Sequence, residues 1–103
     1  MYYTYIIRCE DNSLYTGITT DYNRRFEEHK NKTEKCAKYT LRHNAISIEA
    51  VWQSNSRADA SKLEYRIKHL SKEQKEKIIV DRSSFRAILN DMLDIKDYVR
   101  VKL

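Results

Sequence analysis

Two tyrosines, an arginine, a histidine and a glutamate supply the side chains that hydrolysis of a phosphodiester bond requires: Tyr5, Tyr15, Arg25, His29 and Glu64. This reaction needs a base that deprotonates water, a cation that neutralises the pentavalent phosphate, and a metal or proton that stabilises the leaving oxygen. A tyrosine can act as the base only where a cation lowers its pKa, because a phenol ordinarily has a pKa of about 10. Arg25 or a metal-bound environment could supply that cation.

Glu64 lies within the apolar stripe of a predicted helix that also carries Leu63 and Ile67. An ionised carboxylate there is costly unless it is paired, hydrogen-bonded or bound to a cation. A structural interpretation pairs it with Arg25, Arg66 or Lys68. A functional interpretation makes it the ligand of one Mg²⁺ or Mn²⁺, since a single carboxylate is sufficient where water and substrate phosphate complete the coordination shell.

The other residues also have structural interpretations. Tyr5 and Tyr15 could be core aromatics of a hairpin, and His29 could be a residue of a helix surface. Gly17 is the only glycine in the chain. It marks either a strand bulge or a place where another group approaches the main chain closely.

Alternating residues predict the elements that position these side chains. Tyr2 to Cys9 and Leu14 to Thr19 form a predicted β-hairpin around the turn at residues 10–13. A helix capped by Thr20 or Asp21 and running from Tyr22 to about Lys30 would project Arg25 and His29 together. Ile46 to Trp52 alternates as a third strand.

The rest of the chain is predicted to be helical. Ser56 begins a helix with a buried stripe of Ala60, Leu63, Ile67 and Leu70, Ser71 begins the next, and a final helix runs from Ser84 to about Ile95. An alternating tail follows it. The element order predicts a small α/β (α+β) domain in which three antiparallel strands are covered by helices, with an extra C-terminal helix.

The charge distribution points to a polyanionic partner. The net charge is +5, and the segment from Lys30 to His43 is mainly basic. Lys35, Lys38 and Arg42 could grip a nucleic-acid backbone while Tyr39 stacks on a base. The alternative is a solvated loop.

No apolar run is long enough to cross a bilayer, and the N-terminus lacks the pattern of a secretory signal, so the sequence predicts a cytoplasmic protein without membrane association. Cys9 and Cys36 are too few and too far apart for a zinc site and are expected to be ordinary thiols.

The spacing of several separated elements resembles the GIY-YIG nuclease superfamily, and in particular its small single-domain bacterial branch. Tyr3-Thr4-Tyr5 stands where the family has Gly-Ile-Tyr, and Tyr15-Thr16-Gly17 stands where it has Tyr-Ile-Gly. Arg25, His29 and Glu64 follow in the family's order. Ile18 replaces a lysine found in many members, and no asparagine after Glu64 matches the family's late asparagine.

The resemblance implies a metal-dependent endonuclease, for which we expect DNA as the substrate in preference to RNA. One small domain has little surface to read a long sequence, so we expect selectivity for structure or strandedness. Ile18, the absent asparagine and the basic segment favour the alternative, a catalytically weak nucleic-acid-binding module of the same fold.

The resemblance also implies catalytic roles for Tyr5, Tyr15, Gly17, Arg25, His29 and Glu64. Either tyrosine would be the base or its positioner, Arg25 would grip the phosphate, His29 would assist proton transfer, Glu64 would bind the metal and Gly17 would leave the sheet open to the substrate backbone. Residues 1–80 would form the family domain, and residues 81–103 a C-terminal extension that packs on it and could mediate self-association.

Overall fold

A four-stranded antiparallel sheet in the order β2-β1-β3-β4 forms the centre of the computed structural model, which describes residues 1–32, 39 and 42–103. Four helices whose full extent lies within these residues flank the sheet. The elements are β1 (Tyr2–Cys9), β2 (Leu14–Thr19), α1 (Tyr22–Lys30), β3 (Ala45–Ser54), α2 (Arg57–Lys68), α3 (Lys72–Val80), α4 (Arg82–Leu89), a 3-10 turn (Ile95–Asp97) and β4 (Val99–Arg100). The predicted α+β class, hairpin and first helix are confirmed.

The turn between β1 and β2 is closed by its own side chains. Asn12 adopts a left-handed conformation with φ 68°, which asparagine tolerates better than most residues. The Asp11 carboxylate accepts hydrogen bonds from the Ser13 backbone and hydroxyl. The turn fixes a register in which Tyr5 faces Gly17 and Ile7 faces Tyr15.

Alternation along β1 divides the core into two layers. One face of the sheet carries Tyr5, Ile7 and Cys9 and packs against Tyr22 and Phe26 of α1; we call it the tyrosine face. The opposite face carries Ile6 and Trp52, and its core also includes residues of α2, α3 and α4: Leu63, Ile67, Ile78, Phe85 and Leu89. The central strand is therefore buried on both sides.

The prediction of three strands is wrong, because the C-terminal tail adds a fourth. Val99 and Arg100 pair with Gln53 and Trp52 of β3, and the Val101 amide donates to the Val51 carbonyl at 2.8 Å. The Arg100 guanidinium also donates to the Ile79 carbonyl at 2.9 Å. The C-terminal tail is therefore held on the sheet by backbone pairing with β3 and by the hydrogen bond from Arg100 to the last turn of α3.

The last helix is also shorter than the predicted Ser84 to Ile95. It begins after Asp81, whose carboxylate accepts from the Ser83 amide, and it ends at Leu89. Met92 is 49% exposed, whereas Leu93 and Ile95 pack against the core. The chain must turn after Asn90 to bring those two side chains inward.

No helix among the described residues is long and apolar enough to span a membrane. Cys9 is buried as a free thiol. Lys35, Lys38 and Cys36 lie outside the described residues. Self-association of the C-terminal segment and the division at residue 80 stay predictions.

Leu63→Ala and Leu89→Ala each remove a wholly buried side chain from one shared core. Each should lower the free energy of unfolding by about 2–5 kcal/mol, and both should shift the same urea transition. Val80→Ala, at a side chain that is 81% exposed, should change stability little. A separate transition that responds to Leu89→Ala alone would show that residues 81–103 fold as an independent unit.

Candidate active site

Tyr5 lies on the tyrosine face with its ring directly over Gly17 of the neighbouring strand. A side chain at position 17 would bring its Cβ within 2.6 Å of the Tyr5 Cζ and closer still to the hydroxyl. Such contacts are closer than packed atoms tolerate, so only glycine fits beneath the ring. The expectation that Gly17 leaves the sheet surface open to a substrate backbone is wrong, because the Tyr5 phenol fills that space.

The Tyr5 hydroxyl is hydrogen-bonded to His29 Nε2 at 2.8 Å. Both side chains are buried, with Tyr5 2% exposed and His29 fully enclosed. The Arg25 guanidinium also lies within hydrogen-bonding reach of the Tyr5 oxygen. Because a guanidinium only donates, the phenol can accept from Arg25 while it donates its own proton to His29.

Burial makes His29 a neutral imidazole. Loss of hydration, together with the nearby Arg25 charge, lowers the pKa of His29 to about 4. Burial, with the neighbouring Tyr15, raises the pKa of Tyr5 above its ordinary value. Near neutral pH, the pair is therefore a neutral imidazole that can accept a proton and a phenol that retains one.

Helix α1 sets the positions of Arg25 and His29. The Asp21 carboxylate accepts from the Arg24 amide and begins the helix. Arg25 and His29 are four residues apart, so both project toward the sheet. Glu28 forms an ion pair with Arg25, with 3.0 Å between Arg25 Nη1 and Glu28 Oε1.

Tyr15 is half-buried and lies beside this pair. Its ring centroid is 5.2 Å from that of His29 and 6.3 Å from that of Tyr5. Tyr39 stacks on its other side at 5.6 Å, and His43 stacks on Tyr39 at 4.2 Å. We call Tyr5, Tyr15 and His29 the tyrosine cluster. Tyr39, which the sequence predicted as a nucleic-acid contact, adjoins this cluster, whereas Arg42 is exposed at the surface.

Glu64 approaches the same cluster from α2. Its side chain is 24% exposed and pairs with Lys68 one turn later, with 3.4 Å between Lys68 Nζ and Glu64 Oε2. The carboxylate is close enough to Tyr5 to contribute to the rise of its pKa. Glu64 is therefore neither remote from the hairpin aromatics nor enclosed in the core.

Lys68 is the member of the site that sequence reasoning named only as a structural partner of Glu64. Its ammonium lies 5.8 Å from the centroid of the Tyr15 ring. Ile18 stands where many family members have a lysine, and α2 brings a different lysine to the tyrosines. The spacing of four residues from Glu64 was the available signal, since it places Lys68 on the same side of the helix.

A metal ion would have Glu64 as its carboxylate ligand. Among the described residues, no three His, Cys, Asp or Glu side chains converge on one point. A single carboxylate suits Mg²⁺ or Mn²⁺, because either ion can be held by one carboxylate with water and substrate phosphate as further ligands. The partial exposure of Glu64 leaves room for those ligands.

The match to known proteins agrees with this geometry. The family model of the GIY-YIG catalytic domain matches residues 1–77. The chain belongs to the GIY-YIG domain family. This family is one of nucleases, which act on nucleic acids and generally use a divalent metal.

Several bacterial proteins are similar along most of the chain. UPF0213 protein FN1575 of Fusobacterium nucleatum is 44% identical over 95 residues, covering 92% of this chain and 93% of its own. UPF0213 protein YhbQ of Salmonella typhimurium is 42% identical over 91 residues, covering 88% and 89%. The solution structure of UPF0213 protein BH0048 from Bacillus halodurans is 40% identical, covers 77% of this chain and 83% of its own, and superposes with a TM-score of 0.49.

The neutral state of His29 predicts a pH-dependent stability. An unfolded histidine with a pKa of 6.5 binds its proton before the folded one, whose pKa is about 4. The contribution of neutral His29 to the free energy of unfolding should therefore be fully present above pH 6.5, and about 3 kcal/mol of it should be lost as the pH falls to 4. Urea unfolding of His29→Gln should lack this component, whereas His69→Gln, at an exposed histidine, should retain it. Parallel pH profiles of the wild type and His29→Gln would contradict the assignment.

Gly17→Ala should lower the free energy of unfolding by about 1–3 kcal/mol, because the new methyl group displaces the Tyr5 ring. In a Tyr5→Phe background, where the closest atom is gone, the same substitution should cost less. A double-mutant cycle measured by urea unfolding isolates this coupling. An equal cost in both backgrounds would mean that contact with the Tyr5 hydroxyl is not what requires glycine.

Proposed function

We propose that this protein is a divalent-metal-dependent endonuclease that hydrolyses phosphodiester bonds of DNA and selects its substrate by structure or strandedness. The observation that carries the proposal is that the hydrogen-bonded Tyr5–His29 pair adjoins Arg25 and Tyr15. The Glu64 carboxylate of α2 is close enough to help raise the pKa of Tyr5. Two tyrosines, a cation and a half-buried carboxylate match the requirements of phosphodiester hydrolysis.

Arg25 is the residue that binds the scissile phosphate in this proposal. Its guanidinium can donate to two phosphate oxygens at once and retains its charge at every relevant pH. The ion pair with Glu28 and the contact with Tyr5 restrict its orientation. Held in this way, Arg25 can neutralise the charge that develops on the pentavalent phosphate without reorganising.

The two tyrosines differ in exposure, and this favours different roles. Tyr15 is half-buried and can meet a water molecule beside the phosphate, with the Lys68 ammonium near its ring. Tyr5 is 2% exposed and held by His29. We therefore assign activation of the attacking water to Tyr15 and positioning of Arg25 to Tyr5. His29 accepts the hydrogen bond that the Tyr5 hydroxyl donates and so fixes its orientation.

Glu64 would hold the divalent cation. When bound, that ion supplies charge neutralisation at the phosphate oxygens and the leaving group. The contribution of this chain is the fixed carboxylate of α2, kept near the cluster by the packing of Leu63 and Ile67.

DNA selected by shape is the substrate class that best fits the size and charge of the chain. The protein has 103 residues and a net charge of +5. A domain this small has little surface for reading a long sequence in a groove, whereas phosphate contacts require only positive charge. Flapped, branched or single-stranded DNA offers exposed strands to the tyrosine face.

Cleavage of labelled single-stranded, flapped and branched DNA with Mg²⁺ or Mn²⁺ tests the proposal. The wild type should cut at least one substrate, and Tyr15→Phe, Arg25→Gln and Glu64→Gln should each reduce the rate by about 100-fold or more. Removal of the metal with EDTA should abolish cleavage.

Matched controls come from exposed residues of the same types. Tyr65→Phe, on the solvent side of α2, and Glu73→Gln, whose side chain is 80% exposed, should cleave at close to the wild-type rate. The proposal fails if the wild type cuts no substrate or if the site variants cut as fast as these controls.

A second candidate is a nucleic-acid-binding module that turns over little, and the Glu64–Lys68 pair favours it. The Lys68 ammonium already neutralises the carboxylate that a metal would need. For such a module, the logarithm of the binding constant should fall with the logarithm of salt concentration by about 0.7–0.9 per phosphate contact. Glu64→Gln should bind as tightly as the wild type, and neither protein should cleave the substrate.

A further inference from the structure

A cavity of about 420 Å³ adjoins the candidate active site at the end of β2. It lies where the first turns of α1 and α2 approach that strand. Its lining consists of Tyr2, Ile18, Thr19, Thr20, Arg24, Arg25, Glu28 and Arg57. Arg25 adjoins the tyrosine cluster as well, whereas Tyr5, Tyr15 and Glu64 are not part of this lining.

The lining is strongly positive. Three arginines face a single acid, and that acid, Glu28, is already paired with Arg25. Arg24 and Arg57 are exposed, and within residues 1–32, 39 and 42–103 neither side chain forms an ion pair. Two guanidinium groups therefore remain for an anion from outside the chain.

The position of Arg57 relates the cavity to the proposed metal ligand. Arg57, Ser61, Glu64 and Lys68 follow one another at helical spacing along α2. Arg57 and Glu64 are seven residues apart, which corresponds to about 10 Å along the helix axis. With a rise of about 3.4 Å per nucleotide in a stacked strand, this distance spans about three nucleotides.

We propose that this cavity is a second phosphate-binding subsite, in which Arg24 and Arg57 hold a phosphodiester of the substrate strand about one to three nucleotides from the scissile bond. The inference rests on the proposed function and deepens it. A strand bound at both places runs along the β2 edge and passes Arg25, which lines the cavity and adjoins Tyr5.

A phosphodiester strand is favoured over an acidic protein segment for two reasons. The guanidinium fork matches the oxygens of a phosphate, and Thr20, an exposed lining residue, adds a hydroxyl donor. The cavity also opens onto Arg25, so its occupant must be compatible with a phosphate at the neighbouring site. One continuous strand meets both conditions.

Binding of a fluorescent single-stranded oligonucleotide, measured in EDTA over a series of salt concentrations, tests the subsite. Arg24→Gln and Arg57→Gln should each weaken binding about 3- to 10-fold and reduce the salt slope by about 0.7. Arg86→Gln, an exposed arginine on α4 outside the cavity, removes the same charge and should change both quantities little. Thermal melting of each variant verifies that it is folded.

Shortened oligonucleotides supply an independent readout. Once the strand is too short to reach the cavity, Arg57→Gln should bind as tightly as the wild type. With cleavable substrate, Arg24→Gln and Arg57→Gln should raise KM and leave kcat within about twofold, because the scissile phosphate keeps its own contacts.

The outcomes separate the subsite from the function on which it rests. If the wild type binds the oligonucleotide but the cavity variants match Arg86→Gln, the subsite is overturned and the proposed function stands. An effect of Arg57→Gln that persists at every strand length also overturns it. If the wild type binds no single-stranded oligonucleotide but cuts flapped or branched DNA, the subsite is overturned and the proposed function stands. If it neither binds the oligonucleotide nor cuts any substrate, both proposals fail.

Discussion

The hydrogen bond between the Tyr5 hydroxyl and His29 Nε2 is the contact on which the tyrosine face depends. It joins the central strand to α1 in a place closed to water, where an unpartnered hydroxyl or imidazole would be costly. The bond depends on three features: Gly17 leaves room for the Tyr5 ring, Asp21 caps the start of α1, and His29 faces inward from that helix. A change in any of these three features would displace the phenol from the position that also meets Arg25.

This buried pair sets the electrostatics of the cluster. His29 is neutral, and Arg25 and Lys68 supply positive charge beside the tyrosine rings. Glu64 is the acid that faces the same cluster from α2. Positive groups beside a partly exposed carboxylate suit a phosphate and a divalent cation bound side by side, which is the arrangement that the proposed chemistry uses; the cation would displace the Lys68 ammonium from Glu64.

The opposite face of the sheet supports the site although it contributes no ring to it. Glu64 belongs to α2, and α2 is fixed by Leu63 and Ile67 in the core that also includes α3 and α4. The Arg8 guanidinium binds Glu49 and Glu76 and so ties β1 and β3 to α3, with 2.6 Å between Arg8 Nη2 and Glu76 Oε1. The C-terminal residues therefore influence the position of Glu64 through packing rather than through contact with it.

Local features of the sequence determined the hairpin, the first helix and the helix caps, because alternation, turn residues and capping side chains act over a few positions. The spacing of Arg25 and His29 also predicted that these two side chains project together from α1. The fourth strand, the short last helix and the burial of His29 were decided only by tertiary structure, since each depends on a partner distant in sequence. The same is true of Gly17: the sequence left a strand bulge and a close approach both open. Strand register decided that Tyr5 lies over this glycine, because a pairing shifted by one residue would turn that ring to the other face.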